Sequence, residues 1–323
     1  MSATGKRRIV TVLKWTGIAL AVSILAFIFG WVPYGMVGAL TTGKFQMRDA
    51  ENEGLTPGSF DLAFEDVAFQ AKDGVGLKGW WVPVASAKGT VVLVHGLNRS
   101  RLEMVKKVPF LHEQGWNALL FDLRGHGASG GDVRSIGYFE REDVHAAVEF
   151  ARNHAAGPVV LWGISVGAAT AVFTAAEDPK VAGLICDSSF RSLRDTTRHH
   201  LRLFSRYRWY LRLVPSWPIT DEVLFWYKRR TGVDPDELDV EKAAARLKTR
   251  PVLFVANSGD RRMPQEIAFD LQKAAGARST VLVIPGTTHG GAWREGTAPY
   301  EEAVKKILEE ARAEPEPQRM AAR

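Results

Sequence analysis

The chain has 323 residues, 46% of them hydrophobic and 24% charged, which is enough to build one large α/β domain or two small ones. Its net charge of +6 is mild, and the sequence has no zinc-finger spacing, RNA-binding signature or long basic tract, so it argues against nucleic-acid binding. The single cysteine, Cys186, excludes an internal disulfide framework, and we expect it to be a small core residue on a strand.

The first 40 residues have the composition of a membrane segment. A nearly unbroken apolar run extends from Trp15 to Val32, close to the roughly 20 residues that cross a bilayer. Because the apolar cores of signal peptides are shorter, about 7–15 residues, we interpret residues 15–37 as a retained transmembrane helix. The basic flank, residues 1–14, would stay in the cytoplasm and the rest of the chain would lie across the membrane. Two alternatives are open: a signal peptide with small residues for cleavage at 37–39, which would give a secreted protein, and, least favoured, a buried helix of a soluble protein.

Residues 38–59 are predicted to be a polar linker, and strand and helix patterns alternate over residues 60–312. Two strands lie between residues 64 and 83, and six more are predicted over 90–94, 116–121, 159–162, 181–186, 252–256 and 280–284. The predicted helices are 103–114, 140–153, 168–176, 265–275 and 299–311. This alternation indicates an α/β fold with a mostly parallel, eight-stranded sheet and helices on both faces. The tail, residues 313–323, is rich in proline and charge and is predicted to be disordered.

The pattern G-x-S-x-G occupies residues 163–167, between a buried apolar strand and a helix of small residues. In that position it is typical of a nucleophile elbow, a turn so tight that the serine is strained and the flanking residues must be glycine. The turn would lift the Ser165 hydroxyl clear of the sheet. It would also aim the N–H of Val166 at negative charge forming beside that hydroxyl.

Polar residues gather where the predicted strands end. Those that closely follow a strand are His95, Asp122, Ser165, Asp187, Asp260 and His289. In a parallel sheet, function collects at the carboxyl ends of the strands. We therefore expect the functional residues among these six.

The segment 188–248 separates two core strands by far more than one helix requires, and we predict that it forms a helical cap. Basic and aromatic residues interleave within it: Arg194, Arg198, Arg202 and Arg206 recur at i, i+4, with Arg191, Arg208 and Arg212 nearby and Leu201, Phe204, Trp209, Tyr210 and Leu213 between them. Two interpretations are open. The arginines form either a solvated helix face or a surface that meets anionic lipid head groups.

These motifs, in this order, resemble the α/β-hydrolase superfamily. The resemblance rests on His95-Gly96, on the glycine-rich loop 121–130, on the elbow, and on the later turns at 257–264 and 288–290. It covers about residues 60–310 and is nearest to membrane-anchored serine hydrolases of the peptidase-like and lysophospholipase-like kind. The resemblance implies a hydrolase and fixes no substrate.

A serine hydroxyl becomes a nucleophile when an adjacent base, itself oriented by a carboxylate, removes its proton. In this fold the partners follow in the order serine, acid, histidine, and Ser165, Asp260 and His289 fit that order. Asp187 is a competing acid, because some family members place the acid after that strand. His126 is a competing base, although the resemblance places it in a structural turn.

The oxyanion hole is predicted to use the backbone N–H groups of Leu97 and Val166. His95 is expected to hold the loop before Leu97 in shape. Glu140 and Asp143 are expected to brace the glycine-rich turn or to start a helix rather than to take part in chemistry.

The sequence thus predicts a serine hydrolase of carboxylic esters, including lipid or acyl-chain esters, that works through an acyl-enzyme intermediate. An acyltransferase with the same triad and a catalytically silent binding module are the alternatives, and peptidase or thioesterase activity is less favoured. No metal or cofactor site is predicted, because the glycine motifs match neither dinucleotide nor phosphate-loop spacing.

Overall fold

The computed structural model describes residues 3–43, 46–207, 216–247 and 249–313. Within them the strands are β1 (Glu65–Gln70), β2 (Gly76–Val82), β3 (Thr90–Val94), β4 (Asn117–Phe121), β5 (Val159–Ile164), β6 (Val181–Asp187), β7 (Val252–Asn257) and β8 (Ser279–Ile284). They form one sheet in the order β1-β2-β4-β3-β5-β6-β7-β8. Strand β2 is antiparallel to both neighbours, and the other neighbouring pairs are parallel. The predicted eight-stranded, mostly parallel sheet is confirmed.

Helices cover both faces of this sheet, which explains why its central strands are apolar along their whole length. The helices are α1 (Ala3–Ala26), α2 (Val32–Thr41), α3 (Val108–Glu113), α4 (Glu140–His154), α5 (Val166–Glu177), α6 (Leu193–Tyr207), α7 (Ser216–Thr231), α8 (Val240–Ala244), α9 (Glu266–Ala275), α10 (Ala292–Glu295) and α11 (Thr297–Ala313). Side chains of β3 alternate between two apolar clusters. Val92 packs with α4 and α5 on one face, and Leu93 packs with α3 and α11 on the other.

The predicted helix over 103–114 is wrong in its first part. A 3₁₀ segment covers Arg101–Lys107, and the α-helix begins only at Val108. Pro109 lies in the first turn of α3 and has no N–H to bond the carbonyl four residues before it, so an α-helix does not run through this position. Gly115 follows the helix with φ +79°, the left-handed conformation that the sequence predicted there.

The N-terminal apolar run is helical from Ala3 to Thr41, with a π-helical segment at Phe27–Trp31. In this π-helical turn the N–H of Val32 bonds the carbonyl of Phe27, five residues back. The turn directly precedes Pro33, which has no N–H to donate. By length and composition, residues 7–41 could cross a membrane. The predicted transmembrane segment 15–37 lies inside this helix.

The carboxyl-terminal end of the apolar helix packs against the domain. Val37 is 2% exposed and belongs to the same apolar cluster as α4 and α5. The Tyr34 ring meets the edge of Trp226 in α7 at a centroid distance of 5.2 Å, and Arg230 Nε donates to Thr41 Oγ1 at 2.7 Å. The structure therefore attaches the helix to the domain directly, where the sequence predicts a linker from residue 38.

The segment between β6 and β7 is helical, as predicted, and contains α6, α7 and α8 within the described residues. The division of the chain into domains, with 188–248 as the cap, stays a prediction. Several residues of the predicted basic and aromatic surface lie outside the described residues, namely Arg208, Trp209, Tyr210, Arg212 and Leu213, and so does the predicted tail beyond Ala313.

Candidate active site

The G-x-S-x-G pattern forms a sharp turn between β5 and α5. Ser165 has φ 55° and ψ −117°, a strained conformation for a residue with a side chain. A Cβ atom on Gly163 would collide with the backbone of Gly167, and one on Gly167 would collide with the Val94 carbonyl oxygen. Both glycines are therefore required by the close approach of backbone at this turn.

The turn places Ser165 in a hydrogen-bonded chain with two residues that are distant in sequence. His289 Nε2 lies 2.9 Å from Ser165 Oγ, and His289 Nδ1 lies 2.7 Å from Asp260 Oδ2. A carboxylate only accepts, so Nδ1–H donates to Asp260 and Nε2 is left to accept the Ser165 hydroxyl proton. This is the arrangement that a serine nucleophile with a general base requires.

Asp260 is held as a carboxylate despite its burial. Its side chain is 1% exposed, and its Oδ1 accepts from the amides of Arg262 and Met263 at 2.8 and 3.1 Å. Burial alone would raise the pKa of Asp260, but the hydrogen bond from His289 and the two amides outweigh it, so the pKa lies below its usual value. The carboxyl is therefore ionised at neutral pH.

Asp187, the competing acid, lies in a different set of contacts. Its carboxylate accepts from the hydroxyls of Ser188 at 2.8 Å and Tyr300 at 3.1 Å. Burial raises its pKa, and these hydrogen bonds lower it only partly. Within the described ranges no hydrogen bond joins Asp187 to His289. The structure thus brings Asp260, and not Asp187, to the histidine.

The two predicted oxyanion-hole residues lie on either side of the nucleophile turn. Val166 begins α5, so its N–H is at the positive end of the helix. A Cβ atom on Gly96 would lie 3.5 Å from Ser165 Cβ, so the loop that leads into Leu97 passes beside the nucleophile. In the part of the chain that the structure describes, neither the Leu97 nor the Val166 amide donates a hydrogen bond. Both N–H groups are consequently free to meet a developing oxyanion.

A cavity of about 270 Å³ borders the histidine. It is lined by residues 48–52, by the segment after β3 and by the loop from Thr288 to Arg294. A second cavity of about 290 Å³ lies between α6 and the loop after β7 and includes none of Ser165, Asp260 and His289. Among the described residues, no group of three or more His, Cys, Asp or Glu side chains is placed to hold a metal ion.

Residues 85–244 match the profile of a family described as serine aminopeptidase, S33. The uncharacterized protein YfhR of Escherichia coli (strain K12) is 31% identical over 257 residues, which cover 76% of this chain and 80% of YfhR. The chain belongs to the α/β-hydrolase superfamily.

Two further comparisons agree with this membership. An esterase from Pyrococcus furiosus has the same fold, with a TM-score of 0.66 and 21% identity over 82% of this chain and 97% of the esterase. The polyketide transferase ATR5 of Stachybotrys chlorohalonatus is 34% identical over 127 residues, which cover 38% of this chain and 43% of that protein. Membership of the superfamily supports a hydrolase that acts on a small-molecule substrate.

Several residues of this hydrolase that support the site were not singled out from the sequence. Glu103 Oε2 accepts the amide of Gly96 at 2.7 Å and so fixes the loop beside Ser165. The Ser188 hydroxyl, in a residue with φ 54°, accepts the amide of Gly290 at 3.3 Å, next to His289. Ser188 could have been noticed in the sequence, because it is a polar residue that directly follows a predicted strand. Glu103 could not, because its segment has the sequence pattern of an ordinary surface helix.

Glu140 and Asp143, at the start of α4, brace the glycine-rich loop. Glu140 accepts from the Ser135 and Gly137 amides at 2.8 Å. Asp143 accepts from the amide of Arg124 at 2.9 Å and from its guanidinium at 2.7 Å. Neither carboxylate contacts Ser165 or His289 within the described residues, so the two are structural.

Two buried histidines, His95 and His126, connect the loops after β3 and β4. In each ring Nδ1–H donates to a backbone carbonyl and Nε2 accepts from a backbone N–H. For His95 these partners are the Gly96 carbonyl and the Leu123 amide. For His126 they are the Arg124 carbonyl and the Asn98 amide. This pattern requires neutral rings. Burial lowers the pKa of both, to about 2 for His126.

These neutral rings should make the fold sensitive to acid. The unfolded chain binds protons at His95 and His126 as the pH falls below about 6.5, whereas the folded chain does not, so acid favours unfolding. We predict that the free energy of unfolding falls by up to about 1.4 kcal/mol per pH unit for each ring below pH 6.5.

Denaturant unfolding of the wild type and of His126→Gln between pH 7 and 4.5 measures this slope. The variant should have a shallower dependence on pH. His154→Gln, at the exposed end of α4, is the matched control. Equal slopes in the wild type and in His126→Gln would contradict the assignment of a buried neutral ring.

Proposed function

We propose that this protein is a serine hydrolase of carboxylic esters, with Ser165 as nucleophile, His289 as general base and Asp260 as the acid that orients the base. The hydrogen-bonded chain of these three side chains, with contacts of 2.9 and 2.7 Å at a strained turn, is the observation that carries the proposal. The strain and the required glycines support it, because they serve to present one hydroxyl rather than to stabilise the fold.

In the first half of the reaction the Ser165 oxygen attacks the ester carbonyl carbon while His289 Nε2 takes the hydroxyl proton. The charge that develops on the carbonyl oxygen is stabilised by the N–H groups of Leu97 and Val166, and removal of one such donor costs on the order of 100- to 1000-fold in rate. Asp260 stabilises the imidazolium that forms. His289 then gives its proton to the leaving alcohol, and the acyl group stays on Ser165.

In the second half a water molecule takes the place of the alcohol. His289 removes a proton from the water, the resulting hydroxide attacks the acyl-enzyme carbonyl, and the same two N–H groups stabilise the oxyanion. Collapse of this intermediate releases the carboxylic acid. The proton on His289 returns to Ser165, which restores the starting state.

Acyl transfer is the second candidate, because the same acyl-enzyme can pass its acyl group to an alcohol or amine. The local similarity to a polyketide transferase favours it, and the fold similarity to an esterase favours hydrolysis. Product analysis with and without an added alcohol separates the two. Esters of the alcohol would indicate transfer, and free acid alone would indicate hydrolysis.

The assignment of the acid is tested by a matched pair of substitutions. Asp260→Asn should lower kcat on p-nitrophenyl esters by about 10⁴-fold, because an amide favours the wrong tautomer of His289. Asp187→Asn makes the same chemical change at a carboxyl that does not contact His289, so its loss should be far smaller. Ser165→Ala should remove the activity.

A larger loss in Asp187→Asn than in Asp260→Asn would make Asp187 the acid. A folded wild type without any Ser165-dependent activity would favour a silent binding module.

We also propose that the N-terminal helix is a retained membrane anchor, with the N-terminus cytoplasmic and the hydrolase domain on the other side. A signal sequence would meet the same criteria of length and apolarity. Retention is favoured because cleavage after Ala39 would remove Val37 from the apolar core and Tyr34 from Trp226. The basic residues before the helix favour this orientation.

Membrane extraction distinguishes anchor from signal. The full-length chain should remain in the membrane fraction after an alkaline carbonate wash, and mass spectrometry should find residues before Trp15 in the recovered protein. A soluble chain that begins near residue 40 would show that the segment is a cleaved signal.

The exposed part of α6 is proposed to contact anionic lipid, which would present lipid or acyl-chain esters as substrates. The charge of one residue of the predicted basic surface is already paired, because Arg194 forms surface ion pairs with Asp221 at 3.1 Å and with Asp236 at 3.5 Å. Arg206 and the aromatic Phe204 are exposed near the end of the helix. Basic residues near a lipid surface contribute about 1 kcal/mol each, so the remaining residues of the basic surface can support weak binding.

Charge reversal tests this surface in a chain that begins at Val32, which keeps α2 and lacks α1. The double variant Arg198→Glu and Arg206→Glu should bind vesicles containing anionic lipid at least about tenfold more weakly than the parent chain. Lys273→Glu with Lys306→Glu makes the same charge change at exposed positions on other helices and should bind like the parent. Equal binding by both double variants would contradict the proposal.

A further inference from the structure

A buried basic side chain, Lys107, lines the cavity beside His289. Lys107 is 3% exposed and lines the cavity together with His289 and Trp293. In the part of the chain that the structure describes, its ammonium makes no hydrogen bond and no ion pair. Its nearest aromatic rings are those of Trp162 and Trp293, with centroids 5.8 and 5.7 Å from Nζ. Lys107 and the predicted general base therefore border the same cavity.

A buried ammonium without acceptors is costly, and proteins normally pair such a group. Burial lowers the pKa of Lys107, and the charges of Asp187 and Glu103 offset this only in part. The Asp187 carboxylate is occupied by the hydroxyls of Ser188 and Tyr300, and Glu103 bonds the amide of Gly96. The acceptors for the Lys107 donors can therefore come from water or from a group of the substrate that enters the cavity.

The remaining charges of the cavity favour an anion as that occupant. Its described lining carries five basic and three acidic side chains, namely Arg48, Arg99, Lys106, Lys107 and Arg294 against Asp49, Glu51 and Glu103. Lys106 and Arg294 share the single carboxylate of Glu51, at 2.8 and 3.0 Å. Arg48 pairs with Glu53, outside the lining, at 2.7 Å, so the cavity has an excess of one positive charge. Its most buried basic side chain, Lys107, is the one without an ion pair among the described residues.

We propose that Lys107 binds an anionic oxygen group of the substrate, a carboxylate or a phosphate, in the cavity beside His289. The inference rests on the proposed function, because it assigns the cavity to the substrate of Ser165 and His289. Hydrogen bonds between an ammonium and an anionic oxygen are stronger than neutral ones, and the surrounding Trp162 and Trp293 rings keep the local dielectric low. Lys107 is then a specificity-determining residue that favours esters bearing an acid group.

Matched esters test this preference. The kcat/KM of p-nitrophenyl hexanoate is compared with that of the p-nitrophenyl half-ester of adipic acid, which differs by a terminal carboxylate. A second pair carries the carboxylate or a methyl group on the alcohol side. The ratio of charged to neutral substrate should fall roughly 10- to 100-fold in Lys107→Met for at least one pair. It should fall less in Lys107→Arg, which keeps the charge.

Lys306→Met makes the same change at an exposed position on α11 and should keep the wild-type ratio in both pairs. An unchanged ratio in Lys107→Met, or equal losses on charged and neutral esters, would overturn the proposal and make Lys107 structural.

Because Lys107→Met could unfold, the wild type gives a second measurement. Adipamate, the monoamide of adipate, should inhibit neutral-ester hydrolysis more strongly than the neutral diamide, adipamide, and methyl phosphate more strongly than methanol. Absence of both preferences would overturn the proposal. If ester hydrolysis depends on Ser165 but shows no preference for anions, this inference alone is contradicted. If there is no Ser165-dependent hydrolysis, the proposed function is contradicted.

Discussion

The contact between the start of α5 and the end of β3 is the constraint on which the rest of the site depends. Gly167 approaches the Val94 carbonyl so closely that no side chain fits, and Gly163 meets Gly167 in the same way. The chain can make this approach only if Ser165 adopts a positive φ, which directs its hydroxyl away from the sheet. The same contact brings the loop after β3 beside the serine, so the proposed nucleophile and the proposed oxyanion donors lie close together. Packing on both faces of the sheet supplies the free energy that maintains this strain.

The loops that complete the site are held by buried polar contacts rather than by apolar packing. Neutral His95 and His126 connect the loops after β3 and β4, and Glu103 holds the amide of Gly96. Such contacts rigidify a loop only if every buried group has a partner. Lys107 departs from that rule at the wall of the cavity, which is why we assign it to the substrate.

The sequence predicted the eight-stranded sheet, because its strands depend on local patterns, and the structure brings the proposed serine, acid and histidine within hydrogen-bond distance. Continuous apolar runs indicate strands that are buried on both faces of a sheet. G-x-S-x-G between a strand and a helix indicates a sharp, strained turn. The sequence favoured Asp260 but left Asp187 as a competitor, since both follow strands and the spacing of β6, β7 and β8 decides which one reaches His289. The 3₁₀ segment before Pro109, the packing of Val37 and the isolation of Lys107 were also missed. The last two depend on contacts between residues far apart in the chain, whereas the 3₁₀ segment follows from Pro109, a local signal that the sequence analysis did not use.

Labelling of the full-length chain with a fluorophosphonate probe, followed by mass-spectrometric assignment of the modified residue, is the most direct test of the central claim. Fluorophosphonates react with serines that a neighbouring base has activated, so no substrate has to be chosen. We expect one adduct, on Ser165, in the wild type, and none in a folded His289→Gln chain. A folded wild type that is labelled on another serine, or that is not labelled at all, would contradict the assignment of Ser165 as an activated nucleophile.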